Sequence, residues 1–202
     1  MNGSSAGWIL LAFGLYAVLH SLLAGAGVKD WATRRLGAGA EQRYYRLFFN
    51  MVGVVSLLPV LALAAWLPDG LLYRLPVWAL PFSLLGQLAG LGLLAASLRQ
   101  TGIGDFLGLS QLAGPAGPGG LVTSGVYAHV RHPLYTGSLL VFWLLPRMSG
   151  NSLALIFAIT LYFVIGSWFE ERKLEKAFGQ AYRDYQARTP AFIPRLTAPR
   201  NS

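Results

Sequence analysis

The sequence predicts an all-α integral membrane protein of about five transmembrane helices, with one long polar loop and a helical C-terminal tail. Three observations carry this prediction. Hydrophobic residues make up 54% of the 202 and charged ones only 12%, about half the charged share of an ordinary soluble domain. Several apolar runs approach or exceed the ~20 residues that a hydrocarbon core of ~30 Å requires of a helix. The 16 lysines and arginines, against 8 acidic residues, fall on alternate connections between those runs.

Five apolar segments can be marked: Trp8 to Val28, Leu47 to Leu67, Leu75 to Leu98, Leu134 to Arg147 and Ser152 to Phe169. The fourth is short and is bounded by Pro133 and Pro146, so it is expected to tilt, to thin the bilayer or to enter it incompletely. The opening Met-Asn-Gly-Ser-Ser has no positive stretch of the kind that begins a secretory signal, so the first segment is expected to be retained. Gly86, Gly90 and Gly92 place small residues at intervals suited to close helix approach in lipid.

The loop after the first segment holds Lys29, Arg34, Arg35, Arg43 and Arg46. The loop after the third holds Arg99 and Arg131, and the tail holds Arg172, Lys173, Lys176, Arg183, Arg188, Arg195 and Arg200. Only Arg74 and Arg147 fall on the opposite side. By the positive-inside rule the N-terminus is expected outside and the C-terminus in the cytoplasm. Topology thus accounts for the net charge of +8, and no nucleic-acid partner is expected.

Residues 1–202 are read as one domain: three helices in 1–100, a cytoplasmic loop over 101–133, a two-helix hairpin over 134–169 and a cytoplasmic tail over 170–202. The loop runs Thr101-Gly-Ile-Gly-Asp-Phe-Leu-Gly-Leu-Ser-Gln and then Ala113-Gly-Pro-Ala-Gly-Pro-Gly-Gly. It is too rich in turn formers to be expected helical. Gly102 and Gly104 lack the preceding strand and remaining glycines of a dinucleotide fingerprint.

Chemistry concentrates in Ser124-Gly-Val-Tyr-Ala-His-Val-Arg-His-Pro-Leu-Tyr-Thr-Gly137 and in Trp168-Phe-Glu-Glu-Arg-Lys-Leu. Ionisable groups at a bilayer edge cost a few kcal/mol unless they pair, face a cavity or bind something. Several readings remain open on these residues alone. His129 and His132 with Glu170 and Glu171 could ligate a metal, although Pro133 holds His132 extended and no metal is expected. Ser124 and Ser138 lack a nucleophile elbow, and the absence of cysteine excludes thiolate chemistry. Arg131, His132, Tyr127 and Tyr135 could also be interfacial anchors. Glu170 and Glu171, expected at a helix C-terminus, would oppose the macrodipole and so need compensating cations.

Residues Leu121 to Gly137, Glu170-Glu171, Phe178-Gly-Gln-Ala-Tyr-Arg-Asp-Tyr185 and Phe192-Ile-Pro resemble the isoprenylcysteine carboxyl methyltransferase family and its phospholipid methyltransferase relatives. Leu19-His-Ser21, Val28-Lys-Asp-Trp31, Arg43-Tyr-Tyr45 and Asp105 to Gln111 resemble the bacterial branch that includes methanethiol S-methyltransferases and a membrane family associated with nitric oxide reduction. The resemblance implies an enzyme of the bacterial inner membrane that transfers a methyl group from S-adenosylmethionine. The acceptor would be small or lipophilic: a thiol, a carboxylate or a lipid headgroup.

It further implies that the cytoplasmic loop and tail bind the cofactor. Tyr127, His129, His132, Pro133, Tyr135 and Gly137 would shape the pocket, Glu171 would bind the ribose or amino group, and Glu170 would support it. Arg131, His132 and Glu171 are expected to carry catalysis, with Arg131 orienting the acceptor and His20 near it. Two alternatives remain: an NADPH-dependent membrane reductase, and a non-enzymatic accessory membrane protein of nitrogen-oxide metabolism.

Overall fold

The structure, a computed structural model, describes residues 3–114 and 120–194. Most of the glycine- and proline-rich run expected as loop, together with Arg195 and Arg200, lies outside the described residues. In chain order the elements are α1 (Gly3–Ala24), α2 (Ala26–Leu36), α3 (Ala38–Trp66), β1 (Leu71–Arg74), α4 (Leu80–Thr101), α5 (Ile103–Leu107), α6 (Ser110–Ala113), α7 (Pro133–Trp143), β2 (Arg147–Ser149), α8 (Gly150–Phe178) and α9 (Gln180–Arg188). A 3₁₀ turn, Val77–Ala79, leads into α4, and another, Gly125–Ala128, precedes α7.

The protein is an all-α integral membrane protein that crosses the bilayer more than once. Four helices are long and apolar enough to cross: Ser4–Ala24, Ala38–Trp66, Val77–Thr101 and Gly150–Phe178. Large apolar side chains such as Leu15, Val54, Leu85 and Ile165 point outward along them, where lipid rather than water is their solvent. The fourth expected segment is the exception. Its helix, α7, has 11 residues, about 16 Å of rise, because Pro133 opens it at the first turn and the chain leaves the helix ahead of Pro146.

Helices also run past the apolar segments that announce them. α3 begins at Ala38 rather than near Leu47, directly after Gly37 (φ 85°). α8 continues to Phe178, so Glu170 and Glu171 lie inside a helix instead of at its C-terminus. The apolar run stops there, but Glu, Arg, Lys, Leu and Ala all sustain a helix. The stretch Thr101 to Gln111, expected to be loop, contains α5 and α6. Gly102 (φ 83°) and Gly108 (φ 87°) bracket α5, so its glycines act as terminators on either side of a short helix.

The chain divides into two units. The first comprises 1–74, 102–119 and 147–159. Here Tyr45 on α3 donates to the Leu23 carbonyl of α1 at 2.6 Å, and Asn50 donates to the Phe106 and Leu107 carbonyls at 2.9 and 2.8 Å, tying α5 to α3. β1 and β2 pair antiparallel. Beside them the buried Asn151 amide donates to the Ala64 and Leu67 carbonyls at the end of α3, satisfying acceptors that a helix end leaves open. Asp69 accepts from the Gly70 and Asn151 amides. Burial pushes its carboxyl upward, but Ser149 and the Asn151, Gly70 and Gly150 amides hold it below the usual carboxylate range.

The second unit comprises 75–101, 120–146 and 160–202. Its centre is the close approach of α4 and α7 at Gly90 and Gly137. A Cβ on either residue would stand 2.7 Å from the other's carbonyl oxygen. Ser83 and Gln87 on α4 donate to the Leu144 carbonyl at the end of α7 at 2.5 and 2.8 Å. At the other end of α4, Gln100 donates to the Ser124 carbonyl and accepts from the Val126 amide, both at 3.0 Å. α7 and the turn before it are therefore held along α4.

Gly90→Ala should lower the thermal midpoint of the detergent-purified protein, at a cost of about 1–3 kcal/mol of overpacking. Gly92→Ala, whose Cβ meets nothing within 4 Å, should leave the midpoint unchanged or raise it. Equal behaviour of the two variants would contradict this packing.

Candidate functional site

Arg131 and His132 occupy the bend between the second 3₁₀ turn and α7. Their amides donate to the carbonyls of Pro190 and Ala191, at 2.9 and 3.0 Å, so the segment after α9 lies along the bend like a short strap. Thr136 extends this pairing by donating to the Phe192 carbonyl at 2.9 Å. The backbone thus brings the bend and the tail together before any charged group is considered.

The Glu171 side chain, on α8, is 15% exposed and that of Arg131 11%. Arg131 Nε donates to Glu171 Oε1 at 2.8 Å, and Nη2 lies 2.7 Å from the same oxygen. His132 Nε2 is 2.9 Å from it, which assigns the imidazole proton to Nε2 as the donor. Gln186 on α9 donates to Oε2 at 2.8 Å. The remaining Arg131 nitrogen, Nη1, donates to the Gln186 and Thr189 carbonyls. A nearly buried carboxylate with charge-assisted partners on three sides is a strong anchor only while all the partners stay.

Glu170, one residue earlier, has a different environment. Its side chain is 49% exposed, and Oε2 lies 3.7 Å from His132 Nδ1 and accepts from the Tyr135 hydroxyl at 3.0 Å. Four rings stack beside it: Phe163 on Tyr135 at 4.6 Å, Tyr135 on His132 at 5.4 Å, and His132 on Phe192 at 5.5 Å between centroids. An accessible carboxylate at the edge of an aromatic column is suited to a cation.

Two buried phenols, Tyr182 and Tyr185, and the half-buried Tyr127 complete the surroundings. Tyr185 donates to the Tyr127 carbonyl at 2.7 Å, and burial pushes its own hydroxyl up to about 12 despite nearby Arg131. Burial, then the charge of Glu170, raises Tyr127, although Thr101 and Ser97 bond its hydroxyl. Burial and then Glu171 raise Tyr182. All three stay protonated at neutral pH, and Tyr185 uses its proton as a donor.

Of the residues singled out from sequence, Arg131, His132, Tyr135, Glu170 and Glu171 come together. Arg131 was expected to orient an acceptor, yet here it joins α8 to the tail. Pro133 is buried at the first position of α7, where its missing N–H leaves no bond unmade. Gly137 faces α4. His129 is exposed, and among the described residues no hydrogen bond or ion pair joins its imidazole to the cluster. His20 belongs to the first unit, on α1, with its ring over Gly53 and against Tyr16 and Phe49. Gln186 and Thr189 escaped the sequence reading. The signal was available, since Tyr182, Tyr185, Gln186 and Thr189 follow the three- and four-residue spacing of one helix face.

Comparison with known proteins gives a consistent set of relatives. The family model for phospholipid methyltransferase matches residues 83–181, which contain most of α4, all of α7 and α8, and the Arg131–Glu171 cluster. Methanethiol S-methyltransferase 2 of Bradyrhizobium diazoefficiens is 32% identical over 96% of this chain and 74% of its own length. Methanethiol S-methyltransferase of Pseudomonas deceptionensis is 30% identical over 96% of this chain and 77% of its own. That of Crocosphaera subtropica is 30% identical over 90% and 71%. No solved structure matches the chain.

Replacing Arg131 by lysine keeps the charge but loses the planar fork that reaches Glu171 and two carbonyls at once. The loss should be about 3 kcal/mol, near the lower end for breaking a buried pair. It should appear as a lower thermal midpoint together with faster amide exchange at Arg131 and His132. Unchanged exchange there would mean that the strap is held without this side chain.

Proposed function

We propose that this chain, which belongs to the family of membrane methyltransferases that includes the methanethiol S-methyltransferases, takes its methyl group from S-adenosylmethionine and gives it to a small thiol. The observation that carries this reading is the division of labour between two adjacent carboxylates. Glu171 is occupied by Arg131, His132 and Gln186, whereas Glu170 is half exposed at the edge of the ring column.

The fit can be judged from the groups present. The cofactor carries a sulfonium and an ammonium, and an accessible carboxylate beside stacked aromatic faces suits both. When bound, it would supply an electrophilic methyl carbon to the thiolate form of the acceptor, whose proton passes to solvent, and would leave as a neutral thioether as its own sulfur–methyl bond breaks. The protein's part is then to bind and align rather than to provide a nucleophile. Glu170 holds a cationic group, and Tyr135 fixes the carboxylate by its hydrogen bond. Arg131 and Glu171 hold the bend, α8 and the strap in register, and the ring column excludes water from one side.

A small thiol is favoured because the relatives above carry that activity in their names. Arg131, the cation best placed to orient an anionic acceptor, is already engaged by Glu171 and backbone carbonyls. The basic loops support a cytoplasmic position for the cluster in a bacterial inner membrane, with α7 as a short fifth crossing and the N-terminus outside.

Calorimetric titration of the detergent-purified protein should show saturable binding of S-adenosylmethionine, weakened at least ~10-fold, about 1.4 kcal/mol, in Glu170→Gln. With methanethiol added, gas chromatography should detect dimethyl sulfide. Binding of NADPH in place of S-adenosylmethionine would overturn the proposal in favour of a reductase.

A further inference from the structure

Tyr182 is 1% exposed and is the largest fully buried side chain. Its hydroxyl oxygen is buried without a hydrogen-bond partner among the described residues. Its neighbour Tyr185, on the same face of α9 at 6.0 Å between rings, has its hydroxyl bonded to Tyr127. Leaving a buried hydroxyl unpaired costs about 1–3 kcal/mol, and folded proteins keep few such groups.

The phenol stands one turn before Gln186 on the same face of α9, and Gln186 donates to Glu171, whose hydrogen bonds are unevenly distributed. Oε1 has three nitrogens around it, from Arg131 twice and His132 once, while among the described residues Oε2 accepts from Gln186 alone. A carboxylate offers about four acceptor positions, two on each oxygen. One oxygen is therefore crowded, the other has a place left, and a buried hydroxyl on the helix that reaches it is unpartnered.

We infer that Tyr182 is a positioning residue for cofactor binding: its hydroxyl takes a place on the Glu171 carboxylate when bound cofactor draws His132 away from it. The exchange keeps the carboxylate satisfied, so moving His132 toward a ligand does not strand a buried charge. It rests on S-adenosylmethionine being the cofactor, and it gives the hydroxyl a cost in the free protein and a use in the bound one.

The test compares the full-length wild type with Tyr182→Phe and Tyr185→Phe in detergent, by thermal unfolding without ligand and by calorimetric titration with S-adenosylmethionine. Tyr182→Phe should unfold no earlier than wild type, since an unpaired hydroxyl has been removed, yet bind about tenfold more weakly. Tyr185→Phe should lower the ligand-free midpoint by about 2–4 °C, the shift expected for ~1 kcal/mol in a chain of this size. An early-unfolding Tyr182→Phe, or one that binds as tightly as a binding wild type, would overturn the inference alone. Folded wild type that binds no S-adenosylmethionine would overturn the cofactor assignment and this inference together.

Discussion

The second unit depends on one carboxylate. Glu171 gathers a guanidinium, an imidazole and an amide that come from the bend before α7 and from α9. Because Arg131 also reaches the Gln186 and Thr189 carbonyls, the ion pair fixes the strap as well as the charges. In a site with little water the attraction is strong, but so is the cost of an unpaired member, and the arrangement holds or fails as a whole. The stacked rings and Glu170 take their places from it.

α7 could not hold its place by length. Eleven residues expose too little surface to hold a helix in lipid by burial alone, where apolar side chains are as content with lipid tails as with each other. Backbone contact replaces that surface. Gly90 and Gly137 let α4 and α7 meet at the distance of a carbonyl and a Cα hydrogen, while Ser83 and Gln87 cap the Leu144 carbonyl. Pro133 at the first turn then presents His132 and Arg131 from a rigid support, the condition for aligning charged groups to within a fraction of an ångström.

The proposed methyl transfer depends on this rigidity. A methyltransferase needs no general base so strong or metal so acidic as a hydrolase does, but it needs a cation held still and water kept away. Side chains already engaged by protein partners, as Arg131 is, supply the stillness. In the proposed function, the half-exposed Glu170 and the faces of Tyr135 and His132 supply the attraction.

Much of this was legible before the structure. Apolar run lengths and charge distribution identify a multi-pass membrane protein because a bilayer admits few solutions for the backbone. The Arg-His-Pro and Glu-Glu clusters stand out because charge at that boundary demands a partner. Helix ends were not legible, since α3 and α8 outrun their apolar segments on residues that favour helix in any solvent. Gln186 and Thr189 were missed because their function lies in which atoms they reach across space. Glu170 and Glu171 show the limit most clearly. They are the same residue type at successive positions; the family resemblance gave the ligand to Glu171, and residue type alone does not rank them. Only packing decides, because neighbours on a helix point about 100° apart. α8 turns one carboxylate into the protein and leaves the other half exposed.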